Sequence, residues 1–297
     1  MRYRILTLVL LAAAAASPVS PAADDDPLER IGRGGPAPAG GMECAFDALS
    51  WNIERGENLP GVARFLQERK PALALLQEVD LDASRSGRVA VADVLASRLG
   101  VHSLFAPEFE ELGQGSGGRP AWHGQAVLTR LPVASARMLR FGAQSGFWRP
   151  RWYLPNWSVM QRRRGGRNTL ALELGTGGRR LAVYNVHLES RGPETLRLRQ
   201  MEEVIADLGR HPADTPLLVA GDLNTREDDS PVVRALLDAG FRTAAGGEVT
   251  TRRGAALDWV FVRGPVEAEG AVVHRDEGAS DHYPITFRLR LTVPECR

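Results

Sequence analysis

The sequence predicts an α/β layered fold, and three observations point there. Short apolar runs such as Ala72 to Leu76 and Leu217 to Ala220, bounded by turn-forming residues, suit strands buried on both faces. A helical stripe of Val62, Phe65 and Leu66 stands between two such runs, and the order strand, helix, strand recurs along the chain. Near the carboxyl end, Ile285, Phe287, Leu289 and Leu291 alternate with Thr286, Arg288, Arg290 and Thr292. That alternation marks a strand with one buried and one wet face, so antiparallel pairing is expected too.

The chain has 297 residues, 43% hydrophobic and 25% charged, enough for one large domain or two small ones. Residues 1–23 begin with Arg2 and Arg4, pass through Ile5 to Leu11 and an alanine run, and end at Ser20-Pro21-Ala22-Ala23 before Asp24-Asp25-Asp26. That pattern predicts a secretory signal peptide and an exported product, periplasmic or secreted; the apolar core is too short for a span of about 20 residues. Residues 24–41, rich in Gly, Pro and Ala, read as a flexible leader. No internal repeat or central linker divides the remainder, so 42–297 is expected to be one domain. A formal net charge of +1 selects no class of partner. The cysteines, Cys44 and Cys296, lie near the two ends of that domain, and in an oxidising compartment a bridge between them is plausible.

Taken in order, Phe46 to Trp51 is a strand ending on Asn52, and the helix after it stops at Lys70-Pro71. The strand from Ala72 ends on Glu78, Val89 to Leu99 is helical, and Val101 to Phe105 and Gln125 to Thr129 are extended. Thr169 to Leu174 and Leu181 to His187 form a hairpin around Gly175-Thr176-Gly177-Gly178. Leu198, Met201, Ile205 and Leu208 share a helical stripe, Val232 to Leu237 is a short helix, and Trp259 to Val262 is a strand.

Polar groups close five of these strands: Asn52, Glu78, His187, Asp222 with Asn224, and Asp258. Ser280-Asp281-His282 precedes the last strand. Alone, Asp222 and Asn224 read equally well as caps of a turn. Together the set suits phosphoryl hydrolysis. A hard cation such as Mg²⁺ prefers oxygen donors, which fits Glu78 with Asn52 and Asp281 nearby. Asp222 and Asn224 would position and activate a water. His187 and His282 would donate to phosphate oxygens, and Asp258 would fix the tautomer of one of them.

The stretches Leu49-Ser50-Trp51-Asn52-Ile53, Leu75-Leu76-Gln77-Glu78-Val79, Tyr184-Asn185-Val186-His187-Leu188, Ala220-Gly221-Asp222-Leu223-Asn224, Leu257-Asp258-Trp259-Val260 and Ser280-Asp281-His282-Tyr283-Pro284 resemble, in order, the motifs of the endonuclease/exonuclease/phosphatase (DNase I-like) superfamily. The resemblance implies a four-layer α/β sandwich, with two packed mixed β-sheets flanked by helices. It also implies a phosphoesterase using Mg²⁺, or Mn²⁺ or Ca²⁺ in its place, held by Glu78 with Asn52 beside it. In this scheme His187 and His282 contact the scissile phosphate and Asp222 with Asn224 handles the water. Asp258 supports His282, and Asp281 lies close to the metal. Gln125 stands where many relatives carry Asn, and Glu54 resembles an acidic position that helps hold metal in some repair nucleases.

Substrate class is read from 137–167, where Arg137, Arg140, Arg149, Arg151, Arg162, Arg163, Arg164 and Arg167 mix with Phe147, Trp148, Trp152, Tyr153 and Trp157. Such a segment fits a nucleic-acid backbone with rings for base stacking. It also fits a membrane surface through 147–164, as in a sphingomyelinase-type phospholipid phosphodiesterase. Alternatively the arginines pair with Glu108, Glu110 and Glu111. Nucleic acid is the preferred substrate, no obligate protein partner is evident, and a catalytically silent binding protein ranks last because no site residue is missing.

Overall fold

The computed structural model describes residues 26–147, 153, 157, 159–176, 178–226 and 229–297. The predicted signal peptide, 1–23, lies outside the described residues, as do Trp148, Arg149, Arg151 and Trp152. In chain order the elements are β1 (Gly32–Gly34), β2 (Ala45–Arg55), α1 (Leu59–Arg69), β3 (Leu73–Leu81), α2 (Val91–Leu99), β4 (His102–Glu111), β5 (Trp122–Thr129), β6 (Val133–Arg140), β7 (Arg163–Gly165), β8 (Asn168–Thr176), β9 (Arg179–His187), α3 (Glu194–Leu208), β10 (Leu217–Asp222), α4 (Pro231–Asp238), β11 (Arg242–Ala245), β12 (Asp258–Arg263), β13 (Val266–Val273) and β14 (Ile285–Leu291). Local chemistry sets several limits. The Asn58 side chain accepts from Gly61 N to start α1, left-handed Lys70 before Pro71 ends it, and Ser230 caps α4 ahead of Pro231.

The strands form two mixed sheets. One runs β1-β4-β5-β3-β2-β14-β13 with β7 added beside β4, and the other runs β11-β12-β10-β9-β8-β6. Period-2 alternation sorts each strand's side chains between two cores. From β2, Phe46 and Ala48 enter the layer between the sheets, where they meet Leu172, Val183, Leu218 and Val260. Leu49, Trp51 and Ile53 face the other way, onto Phe65, Leu66 and Leu95 of α1 and α2. The outer face of the second sheet offers Tyr184, Val219 and Phe261 to Met201, Val204 and Leu236 of α3 and α4. The result is helix, sheet, sheet, helix, and each fully buried Leu or Val contributes about 2 kcal/mol.

Toward the carboxyl ends of β9 and β10 the layer between the sheets turns polar. Gln77 Nε2 donates to Asn185 Oδ1 at 2.7 Å, while Asn185 Nδ2 donates to the carbonyls of Leu76 (3.0 Å) and Ala126 (3.1 Å). These bonds fix the sheets' relative position immediately beneath the candidate site. Gln77 Nε2 and both polar ends of the Asn185 amide are thus met, while Gln77 Oε1 has no partner among the described residues.

Cys44 and Cys296 are bonded, with Cα atoms 5.5 Å apart, tying the residue before β2 to the short turn at Pro294–Cys296. The leader differs from expectation over residues 27–34. Pro27–Glu29 forms a single helical turn with Leu28 buried, and β1 pairs antiparallel with β4, Gly32 opposite Phe105. A free β4 edge offers unpaired backbone groups, and the leader satisfies them. β6, β7, β11 and β13, which lack a clear period in the sequence, complete the sheets.

Candidate active site

Backbone register places three site residues in one row. Along β10, Asp222 stands beside His187 of β9 and opposite Asp258 of β12. The next row on the same face, two residues back along β10 and β9 and two forward along antiparallel β12, is Ala220, Asn185 and Val260, all in the layer between the sheets, so the site row faces the other sheet. Gly221 makes the flush pairing possible: its φ is +143°, and a Cβ there would lie 2.0 Å from the Val186 carbonyl oxygen.

The first sheet supplies the opposing side through broken regularity. Register shifts fall between Asn52 and Arg55 on β2 and between Leu76 and Val79 on β3. Glu54, Arg55 and Glu78 adopt φ of 45°, 66° and 50°, a left-handed geometry that non-glycine residues seldom take, and Asn224 joins them at 51°. Bulges of this kind re-aim side chains out of a strand's alternation. Ser280-Asp281-His282 is pinned alongside: Ser280 Oγ donates to the Asn52 carbonyl (2.7 Å), and Trp51 Nε1 donates to the His282 carbonyl (2.9 Å).

Asp222 is the hub. Its Oδ2 accepts from Asn52 Nδ2 at 3.1 Å and its Oδ1 from Asn224 N at 2.9 Å. His187 Nε2 and His282 Nε2 approach Oδ2 to 3.6 and 3.8 Å. These exceed hydrogen-bond length, so both N–H groups remain free to donate to a third oxygen. Burial raises the Asp222 carboxyl to about 7, with the Asp258 charge adding to the rise and His282 opposing it. Asn224 Nδ2 donates to the Leu188 carbonyl at 3.1 Å, which holds the turn.

The two histidines are held in different states. His282 Nδ1 lies 2.7 Å from Asp258 Oδ2. Burial works against its protonation, but Asp258 and Asp222 prevail and lift it to about 10, so His282 is an imidazolium. At His187, Arg167 Nη1 lies 2.9 Å from Nδ1, and a guanidinium only donates. Nδ1 therefore carries no proton and Nε2 does. Burial, then the Arg167 charge, hold this ring neutral, well below the usual histidine value.

Glu78 stands 3.4 Å from Arg55 Nη2. Burial would raise its carboxyl, but His123, Arg55 and Arg167 outweigh burial and bring it to about 2. His123 is itself kept neutral by burial, so the guanidiniums carry that field. An ionised carboxylate on a bulge, with the side-chain oxygen Oδ1 of Asn52 on the paired strand, is a hard oxygen donor set that fits a divalent cation such as Mg²⁺. At the rim, Asp281 N donates to Glu54 Oε2 (3.1 Å), and burial and Asp281 raise the Glu54 carboxyl. Asp222, Asp258 and His282 also offer ligand atoms within 4.8 Å of one another. There the short Asp258–His282 bond and the charged ring favour a shared proton over a shared metal.

The arginine-rich segment largely turns inward. Arg163 meets Glu111 at 2.7 Å, Arg164 meets Glu110, and Arg167 meets Glu108 at 2.7 Å, while Arg137 is bound to Asp207. Most of its described arginines are thus structural, as the pairing of β7 with β4 requires. Phe147, Tyr153 and Trp157 are exposed. Gln125 is fully buried, donating to the Asn168 carbonyl and its Oδ1, and so supports the sheets from within.

The structure brings Asn52, His187, Asp222, Asn224, Asp258 and His282 into one cluster around the Asp222 carboxylate, with Glu78 and Asp281 on its margins. Sequence reasoning offered Glu108 as one acid among several for the segment's arginines, but did not foresee that Arg167 would join it behind His187. Their separation of 59 residues left no local signal beyond an arginine in a crowd. A hollow of about 610 Å³ bounded by Leu181, Pro216 and Glu295 lies at the other ends of β9 and β10, away from these groups.

A family model described as "Endonuclease/Exonuclease/phosphatase family" matches residues 49–282. No curated protein matches the chain. Among solved structures, an endonuclease/exonuclease/phosphatase from Beutenbergia cavernae is 19% identical with a TM-score of 0.63, covering 84% of this chain and 72% of that one. The human Nocturnin catalytic domain with bound sulfate anion is also 19% identical, with a TM-score of 0.63 and coverage of 85% and 96%. D. rerio TDP2 complexed with single strand DNA product is 17% identical, TM-score 0.56, covering 84% and 100%. At these identities the likeness concerns the fold.

Proposed function

The chain belongs to the endonuclease/exonuclease/phosphatase family, and from that premise we propose that it is a divalent-metal-dependent phosphodiesterase, a nuclease that hydrolyses phosphodiester bonds by attack of water. The observation that carries this reading is the hub at Asp222, where one buried carboxylate gathers Asn52, Asn224, His187 and His282 from both sheets. The DNA product bound to TDP2 supports nucleic acid as the substrate class.

Each group has a task. Asp222, raised toward neutrality, suits proton removal from a water that Asn224 helps to seat. Imidazolium His282, oriented by Asp258, and neutral His187, oriented by Arg167, present N–H groups to the phosphate oxygens where negative charge grows. Glu78 with Asn52 would hold Mg²⁺, with Asp281 and Glu54 close by, and the ion when bound would neutralise phosphate charge. Export is part of the same proposal: the composition of 1–23 and the Cys44–Cys296 bridge both suit an oxidising compartment.

The test is hydrolysis by the mature chain, with Mg²⁺ and with chelator, of duplex and single-stranded DNA, RNA, sphingomyelin liposomes and bis(4-nitrophenyl) phosphate. Chelator-sensitive cleavage of nucleic acid is expected. Cleavage confined to the liposomes would replace nuclease by phospholipase, and inactivity on every diester would overturn the reading.

A further inference from the structure

Beside Glu78 opens a cleft of about 490 Å³ with an unusual wall: among the described residues Arg55, Arg85, Arg162, Arg163, Arg167 and Arg191 line it, against two carboxylates, Glu78 and Glu111. Glu111 is shared by Arg85 (2.9 Å) and Arg163 (2.7 Å), and Glu78 faces Arg55. Arg85 and Arg167 are further balanced from behind by Asp80 and Glu108. Arg162 and Arg191 are exposed, and neither guanidinium pairs with a carboxylate among the described residues; the Arg191 backbone N–H donates to Glu189 Oε1 at 2.9 Å, and its guanidinium sits 5.1 Å over the Phe147 ring. The cleft therefore keeps two unneutralised guanidiniums next to the carboxylate assigned to the metal.

We infer that this cleft is a second phosphate subsite, which takes a phosphate one linkage away from the phosphate that is hydrolysed. That assignment deepens the phosphodiesterase reading and rests on it. Guanidiniums present planar pairs of donors that match phosphate oxygens, and a partly enclosed wall strengthens such charge-assisted bonds. The volume admits a phosphate together with part of the group it esterifies. The proximity of Glu78 places that anion on the same substrate as the reacting phosphate. The favoured substrate thus carries two phosphates in succession, the second being either a terminal monoester or an internal diester of a longer strand.

The experiment compares wild type with the Arg162→Ala/Arg191→Ala double variant, both sites being exposed, in two assays. In the first, inorganic phosphate is titrated calorimetrically into the full chain with chelator present, and the double variant is expected to bind about tenfold more weakly. In the second, with Mg²⁺, kcat/KM is measured for an unphosphorylated dinucleotide, the same dinucleotide with a terminal phosphate at its 5′ or 3′ end, and a trinucleotide. Wild type should prefer a substrate bearing the extra phosphate by about tenfold, and the double variant should lose that preference while cleaving the bare dinucleotide within about twofold of wild type. Preference for the phosphorylated dinucleotide alone identifies a terminal monoester, and preference for the trinucleotide as well identifies an internal diester. Equal phosphate binding by the two proteins, or a preference retained by the variant, overturns the subsite. If no dinucleotide or trinucleotide is cleaved, the calorimetric comparison alone decides the subsite, equal phosphate binding overturning it, and the phosphodiesterase reading is decided separately by the longer nucleic acids and bis(4-nitrophenyl) phosphate.

Discussion

Asp258 Oδ2 and His282 Nδ1 lie 2.7 Å apart, and the pair is buried beside Asp222. The carboxylate both orients the ring and keeps it charged. Replacing Asp258 by Asn preserves the volume but removes the charge, so kcat should fall by about two to four orders of magnitude on a diester substrate. Asp222→Asn and His282→Ala should cause losses of that order too. Circular dichroism melts of the three variants should stay close to wild type; gross unfolding of any one would make that residue structural.

Glu78 is ionised and partly accessible on its bulge, so its charge is available to a cation. Glu78→Gln should weaken Mg²⁺ binding by about tenfold or more in calorimetry, and raised Mg²⁺ should restore part of the lost turnover. Unchanged Mg²⁺ affinity in the variant would remove Glu78 from the metal site.

Arg167 is buried between Glu108 and His187, and its removal strands a carboxylate in the interior. Arg167→Met should cost about 3 kcal/mol or more, because the uncompensated Glu108 charge has no water to solvate it. The thermal midpoint should drop by roughly 6 °C or more. The double variant Arg167→Met/Glu108→Leu should recover much of that loss.

The Cys44–Cys296 bridge closes a loop with a sequence separation of 252. A loop so long constrains the unfolded chain strongly, so Cys44→Ser/Cys296→Ser should lower stability by about 2–5 kcal/mol in denaturant titrations. Addition of reductant should reproduce the effect in wild type and leave the variant unmoved.

By itself the sequence determined the α/β class, the strands that end on Asn52, Glu78, His187, Asp222 and Asp258, and the Ser280-Asp281-His282 group. Each is written in local apolar periodicity, turn residues and short motifs. Only the tertiary structure decided which groups meet. The pairing of β9, β10 and β12 set His187, Asp222 and Asp258 in a row, and two bulges turned Glu78 and Arg55 out of strand alternation. It also decided that most described arginines of 137–167 answer acids on β4 and α3 rather than solvent, and that residues 27–34 close a sheet edge instead of trailing free. Register, bulges and ion pairs between distant segments depend on which strand lies beside which, and that is settled by burying three cores at once, not by any single stretch of chain.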